Sequence, residues 1–81
     1  MSKILVTFNC QIGDYESNSY YIFDKKKSDW GYCKHFWGLT KKNKLSDDVF
    51  WDDQMMNAIS VSSCKNITEQ EEKNLRELGI V

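Results

Sequence analysis

Lys3-Ile4-Leu5-Val6-Thr7-Phe8-Asn9-Cys10 sets Ile4, Val6, Phe8 and Cys10 against Leu5, Thr7 and Asn9. That two-residue period, in residues that favour extended backbone, predicts a half-buried β-strand. Gln11 to Ser19 follows, with Gly13, Asp14, Ser17, Asn18 and Ser19, a composition of turn residues. Tyr20-Tyr21-Ile22-Phe23 then reads as a second strand, so the first third of the chain predicts an antiparallel hairpin with a long polar tip.

Downstream, Ser28-Asp29 has the chemistry of a helix N-cap and an acidic first turn. Trp30, Cys33 and Trp37 recur at helical spacing, Tyr32 and Phe36 form a second pair, and Gly38 supplies a C-terminal stop. The spacing predicts a helix over 29–37; the rival reading is a strand with Trp30, Tyr32 and Phe36 on one face. Lys41 to Asp48 reads as a polar loop. Val49 to Gln54 fits two patterns, a short helix capped by Ser46 with Asp47 and Asp48, or a turn at Asp52-Asp53.

Met55 to Ser63 predicts a third strand, with Met55, Ile59, Val61 and Ser63 on one face. Thr68-Glu69-Gln70-Glu71 is a capping box, in which the Thr hydroxyl and Glu carboxylate satisfy exposed backbone N–H groups. Leu75, Leu78 and Ile80 are the apolar face expected of the helix that follows, and Gly79 its stop. The whole is an α+β fold: a small antiparallel sheet of about three strands in the order β-β-α-β-α, with helices on one face.

Composition bounds the class. The chain has 81 residues and a net charge of −1, with 41% hydrophobic and 28% charged side chains, which suits one small globular domain over residues 1–81 and excludes disorder. No apolar run approaches the roughly 18 residues of a membrane helix. Met1-Ser2-Lys3 does not read as a signal peptide, so a soluble, cytoplasmic domain is expected. Proline is absent and lysine far outnumbers arginine. We read this as the coding bias of an AT-rich genome, and Asn66-Ile67-Thr68 as a glycosylation pattern that a cytoplasmic chain would not use.

The layout resembles that of small uncharacterised proteins of tailed phages and marine metagenomes. The resemblance is clearest over residues 57–81, in Asn57-Ala58-Ile59-Ser60-Val61 and in Ile67-Thr68-Glu69-Gln70-Glu71-Glu72 leading to Leu75 and Leu78-Gly79-Ile80-Val81. It implies neither activity nor site residues, only a class: accessory factors that contact host or phage macromolecules.

Catalytic patterns are sparse. His35 is the single histidine and lies two residues from Cys33, a spacing that on a helix points the two side chains apart, so no catalytic Cys–His pair is expected. Cys10, Cys33, His35 and Cys64 have the ligand chemistry of zinc but lack a C-x₂₋₄-C knuckle, and an odd set of cysteines suits reduced thiols. Asp47-Asp48 and Asp52-Asp53 lack the calcium-loop pattern, so a solvated acidic loop is the simpler reading. No nucleotide-binding glycine motif occurs. The chain is therefore expected to have no catalytic residues, metal or cofactor.

Charge is unevenly spread. Residues 25–44 hold Lys25, Lys26, Lys27, Lys34, Lys41, Lys42 and Lys44 against one acid, Asp29, while the flanking segments are acidic. Lysines interleaved with Trp30, Tyr32, Phe36 and Trp37 are a recipe for single-stranded nucleic acid, with Lys25, Lys26, Lys27, Lys41, Lys42 and Lys44 on phosphates and Trp30 or Trp37 on a base. The simpler reading makes Trp30, Cys33 and Trp37 the core-facing stripe of a helix and the lysines its solvated flanks. Aromatic side chains are 14% of the chain, more than a small core hides, and adjacent Tyr20 and Tyr21 must face opposite sides of a strand. We therefore expect a non-enzymatic interaction protein, homodimeric and binding a further protein. Its candidate contact residues are Tyr15, Tyr20, Trp30, Tyr32, Phe36 and Trp37. Single-stranded nucleic-acid binding through 25–44 is the alternative.

Overall fold

The computed structural model describes residues 3–81. They form β1 (Lys3–Ile12), β2 (Tyr15–Phe23), α1 (Asp29–Trp37), β3 (Asn43–Ser46), β4 (Val49–Trp51), β5 (Asn57–Ile67) and α2 (Glu69–Glu77). The α+β class stands, but the sheet has five strands in the order β2-β1-β5-β4-β3, every neighbouring pair antiparallel, where about three were expected.

The sheet differs from expectation in strand length and in strand number. The expected long hairpin tip is strand: β1 and β2 pair without interruption from Ile4 opposite Phe23 to Ile12 opposite Tyr15, leaving only Gly13-Asp14 as the turn. Gly13 has φ 61° while Asp14 does not enter the left-handed region, the pattern of a type II′ turn, which matches strand twist. Serine and asparagine sit in β2 at little cost because it is the outer strand, with water on its outer edge. The two uncounted strands come from the expected loop 41–48 and the ambiguous segment 49–54. These are β3 and β4, strands too short to show a period, recruited because Phe50 pairs with Ile59 of β5 and is buried. Met55 and Met56 belong to the turn before β5 rather than to the strand; Met55 has φ 57°.

A bulge shifts the β1–β5 register between Thr7 and Phe8. Val61 lies opposite Phe8, but Ser63 lies opposite Thr7 and so on the other face, correcting the expected single face through Ser63.

Residues 29–37 are a helix, as the caps predict. Ser28 Oγ accepts a hydrogen bond from the Gly31 N–H at 3.1 Å, and Gly38, at φ 65°, takes the left-handed conformation while its N–H bonds to the Lys34 carbonyl. The helix seats Tyr32 and Cys33 on the sheet. The core is Val6, Phe8, Cys10, Phe23, Tyr32, Cys33, Leu39, Phe50 and Ile59, with Trp30, Phe36 and Trp37 packed against it.

The capping box of α2 is formed: Thr68 Oγ1 accepts from the Glu71 N–H at 3.2 Å, and the Thr68 N–H donates to Glu71 Oε1 at 3.2 Å. The expected burial of its apolar face is seen only at Leu75, which is half-buried. No residue of α2 is buried, Leu78 is 74% exposed and Ile80 41%. The helix is tied instead by Lys3 Nζ to Glu72 at 3.5 Å. α1 packs on the face of Val6 and Phe8, whereas α2 is tied to Lys3, which points to the other face, so the expected helices on one face are not seen. Thr68→Ala should therefore cost α2 about 1 kcal/mol of local helix stability. Amide exchange in 71–77 should quicken while the global denaturant midpoint stays put; a matching drop in the midpoint would show that α2 is docked.

Candidate functional site

The strand register divides the candidate rings into two sets. Val6, Phe8 and Cys10 of β1 lie opposite Tyr21, Ser19 and Ser17, so these face α1; Leu5, Thr7 and Asn9 lie opposite Ile22, Tyr20 and Asn18 and face away. Tyr20 and Tyr21 thus point to opposite sides, as adjacent strand residues must.

The four rings of α1 belong to the core side. Tyr32 is 2% exposed and sits 4.8 Å from the Phe23 ring; Phe36 stacks on Phe8 at 4.5 Å; Trp30 meets Phe50 at 5.3 Å; Trp37 packs against the same core. Tyr15, at 69%, and Tyr20, at 40%, remain exposed, both on β2. Tyr21 joins them: it is 38% exposed, and its hydroxyl lies 3.4 Å from His35 Nε2.

The face away from α1 meets α2 at one end, where Ile67, opposite Lys3 on this face, is 2% exposed and Glu72 reaches Lys3. Trp51, Ala58 and Gln11 form one row across β4, β5 and β1, and Val49, Ser60, Asn9 and Asn18 the next, with Thr7 beside Tyr20 and Leu5 beside Ile22 further along. The molecule is only 18 Å through its shortest dimension, the depth of a sheet and one helix layer. The face mixes half-buried apolar side chains with hydroxyls and amides. Asn9 Nδ2 donates to Glu16 Oε1 at 2.8 Å within it. Two shallow hollows of about 210 and 230 Å³ open on it, below the roughly 300 Å³ of a small-molecule site.

The lysines are all exposed but divided. Lys25, Lys26 and Lys27 follow β2, with Lys26 and Lys27 beside Ile4 of β1 and Cys64 and Asn66 of β5, whereas Lys41, Lys42 and Lys44 lead into and occupy β3, an edge strand. Four strand spacings separate β2 from β3, roughly 19 Å. What is one basic run in sequence is two groups, one after β2 and one at β3.

The paired acids build a loop. The Asp53 carboxylate accepts from the Thr40 hydroxyl at 2.7 Å, the Thr40 N–H at 3.1 Å and the Lys41 N–H at 3.2 Å. Those bonds, the Thr40 hydroxyl foremost, hold Asp53 below the usual carboxylate range. At Asp52 desolvation pushes upward, but bonds from the Met56 N–H and from Asn57 outweigh it and its acidity also increases. Both folded values are depressed, so this contribution to stability is present above the ordinary value of 3.8 and is lost as pH falls through the folded values. Asp53→Ala should therefore lower the thermal midpoint at pH 7 and flatten its decline below pH 4; a parallel decline in both proteins would contradict the network.

The thiols do not assemble a centre. Cys10 and Cys33 are buried, Cys64 is exposed, and no group of three metal-ligating side chains occurs among the described residues. Cys33 turns into the core while His35, two residues on, turns out to Tyr21. No helix among the described residues is long and apolar enough to cross a membrane.

No protein-family model, curated protein or solved structure matches this chain. The surface that the sequence reading missed is the edge of β2. Its signal was present: Gly13-Asp14 as a two-residue turn, with Tyr15, Ser17, Ser19, Tyr21 and Phe23 alternating against Glu16, Asn18, Tyr20 and Ile22.

Proposed function

We propose that the chain is a non-enzymatic interaction protein, homodimeric, that holds a further protein on the sheet face opposite α1. The observation that carries this reading is the sheet face away from α1, where Tyr20 and Trp51 stand among Thr7, Asn9, Asn18 and Ser60, with Glu16 and Lys65 towards its margins and shallow hollows between them. Tyrosine and tryptophan on such a surface are the side chains that supply most binding energy at protein interfaces. The accessory-factor class implied by the likeness to small phage proteins is in keeping with it.

Nucleic-acid binding through 25–44 has less support, because Trp30 and Trp37 pack against the core and the lysines fall in two groups, one after β2 and one at β3. Adding a short oligonucleotide at about 50 mM salt should leave tryptophan fluorescence unchanged, where stacking on a free ring would quench it. Passing an extract of the source cells over immobilised protein tests the main reading. A retained protein should survive nuclease treatment and be lost from Tyr20→Lys, which keeps the fold but puts a charge on the face. Retention abolished by nuclease, or unchanged by Tyr20→Lys, would contradict it.

A further inference from the structure

We propose that β2 is the homodimer contact: the outer strands of two copies pair antiparallel about a two-fold axis at Ser19, joining two sheets into one. This rests on the homodimer reading above and says where and in what register the copies meet.

The two edges of the sheet are treated differently. Natural sheets protect an edge by shortness, bulges, proline or charge, above all lysine. The β3 edge has such protection: four residues, a register shift between Lys44 and Ser46, Lys44 within it, and Lys41, Lys42, Asp47 and Asp48 beside it. The β2 edge has almost none. It runs for nine residues, pairs with β1 without a bulge, and carries Glu16 as its single charge.

Hydrogen-bond phase decides what that edge offers. Ile12 and Tyr15 flank the two-residue turn and close it, so they exchange bonds with each other, and the alternation of an antiparallel ladder follows from there. Tyr15, Ser17, Ser19, Tyr21 and Phe23 bond to β1. Glu16, Asn18, Tyr20 and Ile22 direct their N–H and C=O groups outward, where no strand meets them.

A second copy satisfies this edge along its full length. With the axis at Ser19, Glu16 lies opposite Ile22 and Asn18 opposite Tyr20, so every outward N–H and C=O is matched and no like charges stand opposite within the strands. The one like-charge approach, Asp14 to Asp24, falls past the strand ends, where Asp24 is already paired with Lys3 at 3.2 Å. The same register covers the exposed rings. Tyr15 comes opposite Phe23, Tyr21 opposite Ser17, and the two Tyr20 rings stand diagonal to each other, about 7–8 Å apart. Because the axis is perpendicular to the sheet, both faces away from α1 lie on the same side and form one double-width surface.

Two variants test the register. Asn18→Pro deletes an outward N–H that the β1–β2 ladder does not use, a place where an edge strand tolerates proline. In sedimentation it should run as a monomer with an unchanged far-ultraviolet spectrum, at concentrations where the parent chain is a dimer. Ser19→Cys, in a Cys10→Ala, Cys64→Ser background, places two thiols across the axis at a non-hydrogen-bonded pair, about 4.5 Å between Cα atoms and within disulfide reach. Mild oxidation should convert most of it to a covalent dimer. A parent dimer that persists in Asn18→Pro overturns the edge contact and leaves the homodimer standing, whereas a monomeric parent chain overturns both. Should Asn18→Pro fail to fold, the absence of a Ser19→Cys cross-link in a dimeric parent overturns the edge contact.

Discussion

Phe8→Ala is expected to leave the chain largely unfolded at room temperature. Phe8 is fully buried at the middle of β1, which lies between β2 and β5, so it touches both halves of the sheet and the helix above. Its ring stacks on Phe36 at 4.5 Å with the planes 9° apart and meets the edge of Phe23 at 6.4 Å. Truncating a buried phenylalanine costs about 3–5 kcal/mol, from lost transfer energy and the cavity left behind. A domain of this size has about 4–12 kcal/mol in total, taking the usual stability per residue. The loss is therefore of the same order as the whole. Phe8→Leu, which nearly fills the space, should cost less than about 1.5 kcal/mol and keep a cooperative transition. Circular dichroism with denaturant titration separates these outcomes. A midpoint unmoved by Phe8→Ala would show that α1 is not seated on β1.

The thiols should differ in reactivity by orders of magnitude. Burial pushes the Cys33 thiol up to about 12, with the Asp29 charge and Cys10 adding to it, against an ordinary value of 9.0. Near neutral pH that alone lowers its thiolate fraction about 1,000-fold, and its side chain is also closed to reagent. Cys10 is raised as well, by burial, less a contribution from the bond to Ser19. Cys64 is exposed and should react first, though more slowly than a free cysteine because partial desolvation and Asp29 raise it too. Mass spectrometry after brief alkylation should find a single label on the native chain, at Cys64, and full labelling in denaturant. Equal labelling of Cys33 and Cys64 in the native protein would mean that α1 lifts from the sheet.

What could be read from the sequence followed from how locally each signal is determined. The alternation of Ile4, Val6, Phe8 and Cys10 located β1, and Ser28 with Gly38 bounded α1, because caps and strand faces are decided within a few residues. The Thr68 capping box located α2 for the same reason. It misled about the extent of docking, since a cap satisfied by its own helix places no demand on a tertiary partner, and Leu78 stays in water while Leu75 is half-buried. β3 and β4 carry no period of their own; Phe50 is held in a strand by Ile59. For the candidate surface, the opposition of Tyr20 and Tyr21 was legible, and the inward stripe of Trp30, Cys33 and Trp37 was one of two readings; Phe36 packs inward with them. The separation of Lys25–Lys27 from Lys41–Lys44 was not, because neighbours in sequence become distant only once α1 carries the chain across the sheet.

Concentration-dependent amide exchange in β2 tests the central claim most directly, that this chain works as a dimer paired along its outer strand. The N–H groups of Ser17, Ser19 and Tyr21 bond within the chain and should exchange slowly at any concentration. Those of Asn18, Tyr20 and Ile22 have no strand to meet in a single copy, so they should be protected in concentrated solution and lose that protection on dilution, in step with a fall in mass from twice 9.6 kDa to 9.6 kDa. Fast exchange of these three amides at every concentration, with the mass fixed at that of one chain, would contradict the account.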